Sequence, residues 1–193
     1  MNLSIRDVIY IGLLSAICAI ATTILIPLPT GGMVHLGSAA LFTISALFGG
    51  LYGGLAGAIG SGLFDLVMGH SAYTLFSIII KGLAGLFVGA IALGLRPVPW
   101  RQICISWPRL IGAFVIGAIW TAIGYFFAWA YVLNSFQAAV IRLPSSFLTS
   151  GVGLIVAIFL VRALLRPFRS TKTAATTTNT NTNTNTNTPS HSA

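Results

Sequence analysis

The sequence predicts an all-α, polytopic membrane protein: a bundle of about six transmembrane helices with both termini on the cytoplasmic side. Composition comes first, because 56% of the 193 residues are hydrophobic, only 6% are charged, and the mean hydropathy is +0.94. Length comes second: the apolar runs approach the roughly 20 residues that a helix needs to cross about 30 Å of hydrocarbon. Charge placement comes third. The Lys and Arg residues punctuate the apolar runs instead of lining one polar face, so the formal charge of +8 reads as loop charge of a membrane protein and not as a nucleic-acid interface.

The first helix spans about Ile5 to Ile26 and stops where Pro27-Leu28-Pro29-Thr30-Gly31-Gly32 cannot continue it. Its apolar run is too long for a signal-peptide core and lacks a cleavage site followed by a soluble domain, so it is retained. A loop carrying His35 follows. The second helix, about Leu36 to Phe48, is short, and a span of that length must tilt little, thin the bilayer or be covered by protein. Gly49-Gly50-Leu51-Tyr52-Gly53-Gly54 turns the chain into a third helix ending near Met68. Gly69-His70-Ser71-Ala72 connects to a fourth, from about Tyr73 to Leu95. A polar loop from Arg96 to Arg109 leads to a fifth helix, about Leu110 to Leu133. The sixth is expected over Pro144 to Leu165, with Arg142 in the loop before it. These helices form one domain over residues 1–169. Residues 170–193 have almost nothing apolar to bury and contain an Asn-Thr repeat from Asn179 to Thr188, so they read as a disordered tail.

With the N-terminus inside, Arg6, Arg96, Arg101, Arg109, Arg162, Arg166, Arg169 and Lys172 are cytoplasmic, and Arg142 alone is outside. That bias sets the orientation in the inner, cytoplasmic membrane and turns the loops with His35, His70 and Arg142 outward.

Small residues recur at four-residue intervals on helix three, as Gly50, Gly54, Ala58 and Gly62 and as Gly49, Gly53, Gly57 and Ser61. Helix one has Gly12-x-x-x-Ala16 and Ser15-x-x-x-Ala19. Such stripes let another backbone approach closely, either within the bundle or from a second membrane subunit, for which Gly12, Ala16, Gly53 and Gly57 are the candidate contacts.

Asp65 and Lys81 are ionisable residues at membrane depth, toward the outer half of adjacent antiparallel helices. Each must face the bundle or a wet cavity, as a structural pair, as the border of a polar ligand site, or as both. His35 and His70 lie in outer loops, where a solvated side chain competes with a ligand contact. Tyr125, Phe126, Phe127, Trp129 and Tyr131 crowd the outer half of helix five. Most fit an interfacial belt, and one or two could stack on a planar ligand.

Enzyme readings fail on the residues. Gly60-Ser61-Gly62 has Ile59 where a Gly-x-Ser-Gly motif needs glycine, and no His base lies on another helix. The chain contains no glutamate, no His-Glu-x-x-His and no phosphate-cradling Gly-x-x-x-x-Gly-Lys-Ser/Thr loop. Cys18 and Cys104 have no partner at metal-ligand spacing and read as free structural thiols, so no metal or cofactor is expected. A membrane carboxylate can relay protons, which keeps an ion-coupled permease open. Six spans without a convincing inverted repeat or a broken mid-membrane helix argue against a self-sufficient one, and the polar rings of a channel are not seen.

Pro27-Leu28-Pro29-Thr30-Gly31-Gly32-Met33-Val34-His35-Leu36-Gly37, the hairpin Phe48-Gly49-Gly50-Leu51-Tyr52-Gly53-Gly54-Leu55-Ala56-Gly57, Leu63-Phe64-Asp65-Leu66 and Ile80-Lys81-Gly82-Leu83 follow one another in an order and spacing that resembles a known family. It is the substrate-specific S components of energy-coupling factor (ECF) vitamin importers, nearest the riboflavin, pyridoxine and hydroxymethylpyrimidine branch, and the likeness covers about residues 5 to 166. The resemblance implies a six-helix subunit, not an enzyme, that binds a vitamin or vitamin precursor near the outer surface. It further implies a transmembrane T component docking at the helix-one motif, here Gly12 and Ala16, and two cytoplasmic ATPases supplying energy. Related sequences open helix six with Pro-x-Asn-x-x-Gln, where this chain has Pro144-Ser145-Ser146-Phe147-Leu148-Thr149, so smaller hydroxyls replace the amides. The candidate ligand contacts are therefore His35, Asp65, His70, Lys81, Tyr125, Trp129 and Ser146. The competing readings are a non-transport scaffold or assembly protein and a stand-alone ion-coupled permease.

Overall fold

A computed structural model describes residues 4–28, 33–95, 103 and 105–184, with the side chains of the last helix described as far as Leu165. Arg96, Arg101, Cys104 and the tip of the first loop, residues 29–32, lie outside the described residues. The element order is α1 (Ile5–Thr23), β1 (Leu25–Pro27), β2 (Met33–His35), α2 (Gly37–Phe48), α3 (Gly50–Val67), α4 (Ser71–Ala92), α5 (Trp107–Val132) and α6 (Phe136–Thr184). The chain divides into two units, Met1–Val161 and Arg162–Ala193. The first holds the packed helices, and the second is helical as far as Thr184.

Among the described residues, five helices are long and apolar enough to cross a membrane: α1, α3, α4, α5 and Phe136–Leu165 of α6. Helix α2, with 12 residues, rises only about 18 Å and falls short of the hydrocarbon thickness. Its eleven residues from Gly37 to Leu47 are all buried. Protein surrounds this helix on every side, which is how a chain accommodates a short apolar helix with no polar face.

Helix α1 begins at a capping box. Ser4 N–H donates to Asp7 Oδ2 at 2.9 Å, and the other carboxylate oxygen accepts from Tyr52 Oη at 2.6 Å, tying the start of α1 to the start of α3. The helix ends three residues earlier than the sequence indicates, at Thr23. Leu25–Pro27 then pairs antiparallel with Met33–His35, in the register Leu25 to His35, Ile26 to Val34 and Pro27 to Met33. Here the polar end of a membrane bundle makes a short β-hairpin, satisfying backbone groups that an open loop would leave unpaired.

Two further boundaries differ from expectation. The reversal between α2 and α3 is made by Gly49 alone, at φ 87° and ψ 173°, a left-handed φ that glycine adopts without Cβ strain. Residues Gly50 to Gly54, expected in the turn, are the first turn and a half of α3, whose leading N–H groups donate to the carbonyls of Gly94 and Leu95 at 2.9 Å each. Helix α6 starts at Phe136 and not at Pro144, because Ser135 caps it: the Ala138 N–H donates to Ser135 Oγ at 3.3 Å. Arg142 is therefore on a helix and not in an outer loop, and Pro144 is carried inside the helix, where it has no N–H to give the preceding turn.

The small-residue stripes of α3 are consumed within the bundle. A Cβ at Gly53 would lie 2.7 Å from Ser45 Cα of α2, and one at Gly57 would lie 2.7 Å from the Lys81 carbonyl of α4. Gly60 meets the Ser15 carbonyl of α1 in the same way, at 2.8 Å. The assignment of Gly53 and Gly57 to an external partner is thus corrected: close approach of α1, α2 and α4 already fills those faces. On α1 the pattern splits. Ser15 and Ala19 face Gly60, whereas Gly12 and Ala16 are exposed, with nothing within 4 Å of a Cβ built on Gly12.

Candidate ligand site

Four-residue spacing places polar groups on the inward faces of the helices at the end of the bundle that carries the hairpin. On α3 these are Ser61 and Asp65, on α4 Ser77 and Lys81, and on α5 Thr121, Tyr125 and Trp129. Helix α6 adds Arg142, Ser146 and Thr149, and the hairpin adds His35. Together they enclose a cavity of about 360 Å³, within the size range of small-molecule sites.

Lys81 sits deep in it, 5% exposed. Its Nζ donates to Ser38 Oγ at 2.9 Å and lies 5.6 Å from the Tyr125 ring centroid, so a hydroxyl and an aromatic face replace its hydration. The anticipated direct pair with Asp65 does not form. Asp65 is 7% exposed, and its Oδ2 is buried without a hydrogen-bond partner, an arrangement that costs free energy until a donor enters the cavity. Tyr125 Oη shares a hydrogen bond of 3.0 Å with Ser77 Oγ, and its ring lies 5.7 Å from Trp129 at 31°. Ser77 is itself anchored, because its carbonyl accepts from Ser61 Oγ at 3.1 Å, joining α3 to α4.

His35 accepts the Gly37 N–H on Nδ1 at 3.2 Å, which puts the proton of the neutral ring on Nε2. Burial, with the Lys81 charge second, pushes this imidazole down to about 3, so it is a neutral donor at physiological pH. Phe64 stands between the two histidines, its centroid 6.4 Å from each ring. Thr149 Oγ1 lies 2.9 Å from the Met33 carbonyl and 2.8 Å from the Ser145 carbonyl, which fastens the hairpin against α6.

All seven residues singled out from the sequence, His35, Asp65, His70, Lys81, Tyr125, Trp129 and Ser146, line this one cavity. Among the helix-five aromatics, Phe127 and Tyr131 point outward, 64% and 78% exposed, in keeping with an interfacial belt. Sequence reasoning missed Ser38, Ser77, Phe64 and Arg142. Ser77 and Ser61 were findable, each one helical turn before the charged residue on its own face. Ser38 was not, since only packing brings the start of α2 to the Lys81 ammonium. Among the described residues no group of three or more His, Cys, Asp or Glu could hold a metal ion. The arrangement offers a ligand a cation, a carboxylate acceptor, hydroxyls and a tilted aromatic pair.

Comparison with known proteins agrees with this architecture. An uncharacterised protein of Pyrococcus woesei, described as lying in a gap 3' region, is 32% identical over 132 residues, 68% of this chain and 82% of that one. A solved structure, described as "Structure and mechanism of the S component of a bacterial ECF transporter", superimposes with a TM-score of 0.64 at 20% identity, covering 83% of this chain and 96% of that one. That likeness establishes the fold. Residues 2–166 match the family described as "ECF-type riboflavin transporter, S component". The match spans nearly the whole helical part of a chain with several apolar helices, and the chain belongs to this family of multi-pass ECF transporter S components.

Proposed function

We propose that this S component captures riboflavin, or a vitamin-like heteroaromatic of similar shape, from outside the cell and delivers it inward with a separate T component and two cytoplasmic ATPases. The observation that carries the reading is the pair of buried charges, Lys81 and Asp65, set in one cavity without pairing directly. Charge at membrane depth is costly and is retained where it meets a substrate. A flat ring with carbonyl acceptors and an N–H donor suits an ammonium, a carboxylate with one oxygen lacking a donor and the Tyr125–Trp129 aromatic pair at once. The excess of Lys and Arg in the loops opposite the hairpin supports cytoplasmic termini in the inner membrane, with the cavity facing outward. Gly12 and Ala16, exposed on α1, are the proposed contact with the T component. The chain has no phosphate-binding loop, so energy must come from other subunits.

Native mass spectrometry of gently purified protein tests this directly. The expected result is a bound mass matching a flavin or similar vitamin, together with co-purification of a membrane partner and paired ATPases. Protein that carries no ligand, binds no added riboflavin and captures no ATPase overturns the reading in favour of a scaffold. Uptake by the chain alone, driven by an ion gradient, would instead make it a permease.

A further inference from the structure

The charges of the cavity do not balance, and the surplus lies at one place. The chain has two acidic side chains. Asp7 is committed at the opposite end of the bundle, to Tyr52 and to the Ser4 N–H, which leaves Asp65 as the one carboxylate lining the cavity, against Lys81 and Arg142. Asp65 offsets one of these two cations, and the other is in surplus. Arg142 has no counter-ion. It is half-buried, it lines the cavity, and its guanidinium makes no hydrogen bond or ion pair to another described residue. The contact at this position belongs to the backbone, whose carbonyl accepts from Ser145 Oγ at 2.7 Å.

Position along α6 separates this cation from the other. Lys81 Nζ is held by Ser38, and Ser38 is where Gly153 packs, a Cβ there meeting Ser38 Cβ at 2.8 Å. Arg142 is eleven residues earlier on the same helix, about 16 Å nearer the end that begins at Phe136. One cation therefore marks the floor, beside the Tyr125 ring, and the second marks the mouth. A ligand that reaches both is elongated, with a neutral hydrogen-bonding ring below and negative charge above.

Resting on the reading of the cavity as a flavin-type site, we infer that Arg142 is a specificity-determining residue that selects ligands whose side chain ends in an anionic group, such as a phosphate ester. Its planar fork of donors matches the paired oxygens of a phosphate or carboxylate better than it matches an alcohol. The ring is recognised on the floor in either case, and the anion adds charge-assisted hydrogen bonds at the mouth.

The experiment titrates the full chain in detergent or nanodiscs with riboflavin and with riboflavin 5′-phosphate, following flavin fluorescence. The ester binds about tenfold to a hundredfold more tightly, the ratio expected for hydrogen bonds to a charged group. Arg142→Gln collapses that ratio to about one, and Arg142→Lys, which keeps the charge but not the fork, lowers it to an intermediate value. Equal affinities in the unmodified protein, or a preference that survives in Arg142→Gln, overturn the inference while leaving the flavin site standing. Binding of neither probe to monodisperse protein overturns the flavin site and this inference with it. If Arg142→Gln fails to fold, the ratio in the unmodified protein and in Arg142→Lys decides.

Discussion

Asp65 separates a functional charge from a structural one. Both it and Lys81 were legible in the sequence, as the two charges interrupting long apolar runs, and the direct ion pair was the simplest way to house them. The folded chain does otherwise: Lys81 turns to Ser38 and the Tyr125 ring, and Asp65 Oδ2 is left without a donor. The difference has a measurable sign. Asp65→Asn keeps the shape of the side chain and removes a desolvated charge, so the ligand-free protein melts at the same temperature or higher, while ligand affinity falls about tenfold or more. Melting curves in detergent together with a binding titration check this. A lower melting temperature with unchanged affinity would make Asp65 a structural residue. Ser38 was not legible because its role depends on α2 and α4 lying side by side, a relation that no local spacing contains.

Helices α1 and α3 carry the same kind of small-residue pattern, but only α1 leaves part of it, Gly12 and Ala16, exposed. On α3, Gly53 and Gly57 meet Ser45 and the Lys81 carbonyl so closely that no Cβ fits. Gly53→Leu must displace backbone on α2, a larger disturbance than ordinary core overpacking, which costs about 1–3 kcal/mol, and folded protein is lost from the membrane fraction. On α1, Gly12 opens outward. Gly12→Leu folds and still binds ligand but no longer co-purifies with the T component; retained co-purification would move the docking surface elsewhere. The pattern of small residues was plain in the sequence, but the partner of each stripe was not, since a four-residue repeat states only that something approaches. Boundaries behaved similarly. Pro144 resembles a first-turn proline, whereas Ser135 caps helix α6 two turns before it.

At the scale of the whole molecule, the family match covers residues 2–166 and stops short of the Asn- and Thr-rich segment. Deleting residues 170–193 leaves membrane insertion and ligand affinity within about twofold, because that segment has almost no apolar surface to bury. Equilibrium binding on the truncated chain measures it, and a larger loss would bring the segment into the mechanism. The sequence by itself determined the class of protein. Lipid offers backbone groups no hydrogen-bond partners, so apolar runs must be helices, and the lengths of those runs and the charges between them are written locally along the chain. It also marked the residues that burial makes expensive. Only the tertiary structure decided that α2 is sheathed by protein, that Lys81 bonds Ser38 instead of Asp65, and that Arg142 belongs to the cavity. Those outcomes depend on how each helix is rotated and which neighbour it meets, and that is fixed by close packing between segments far apart in the chain.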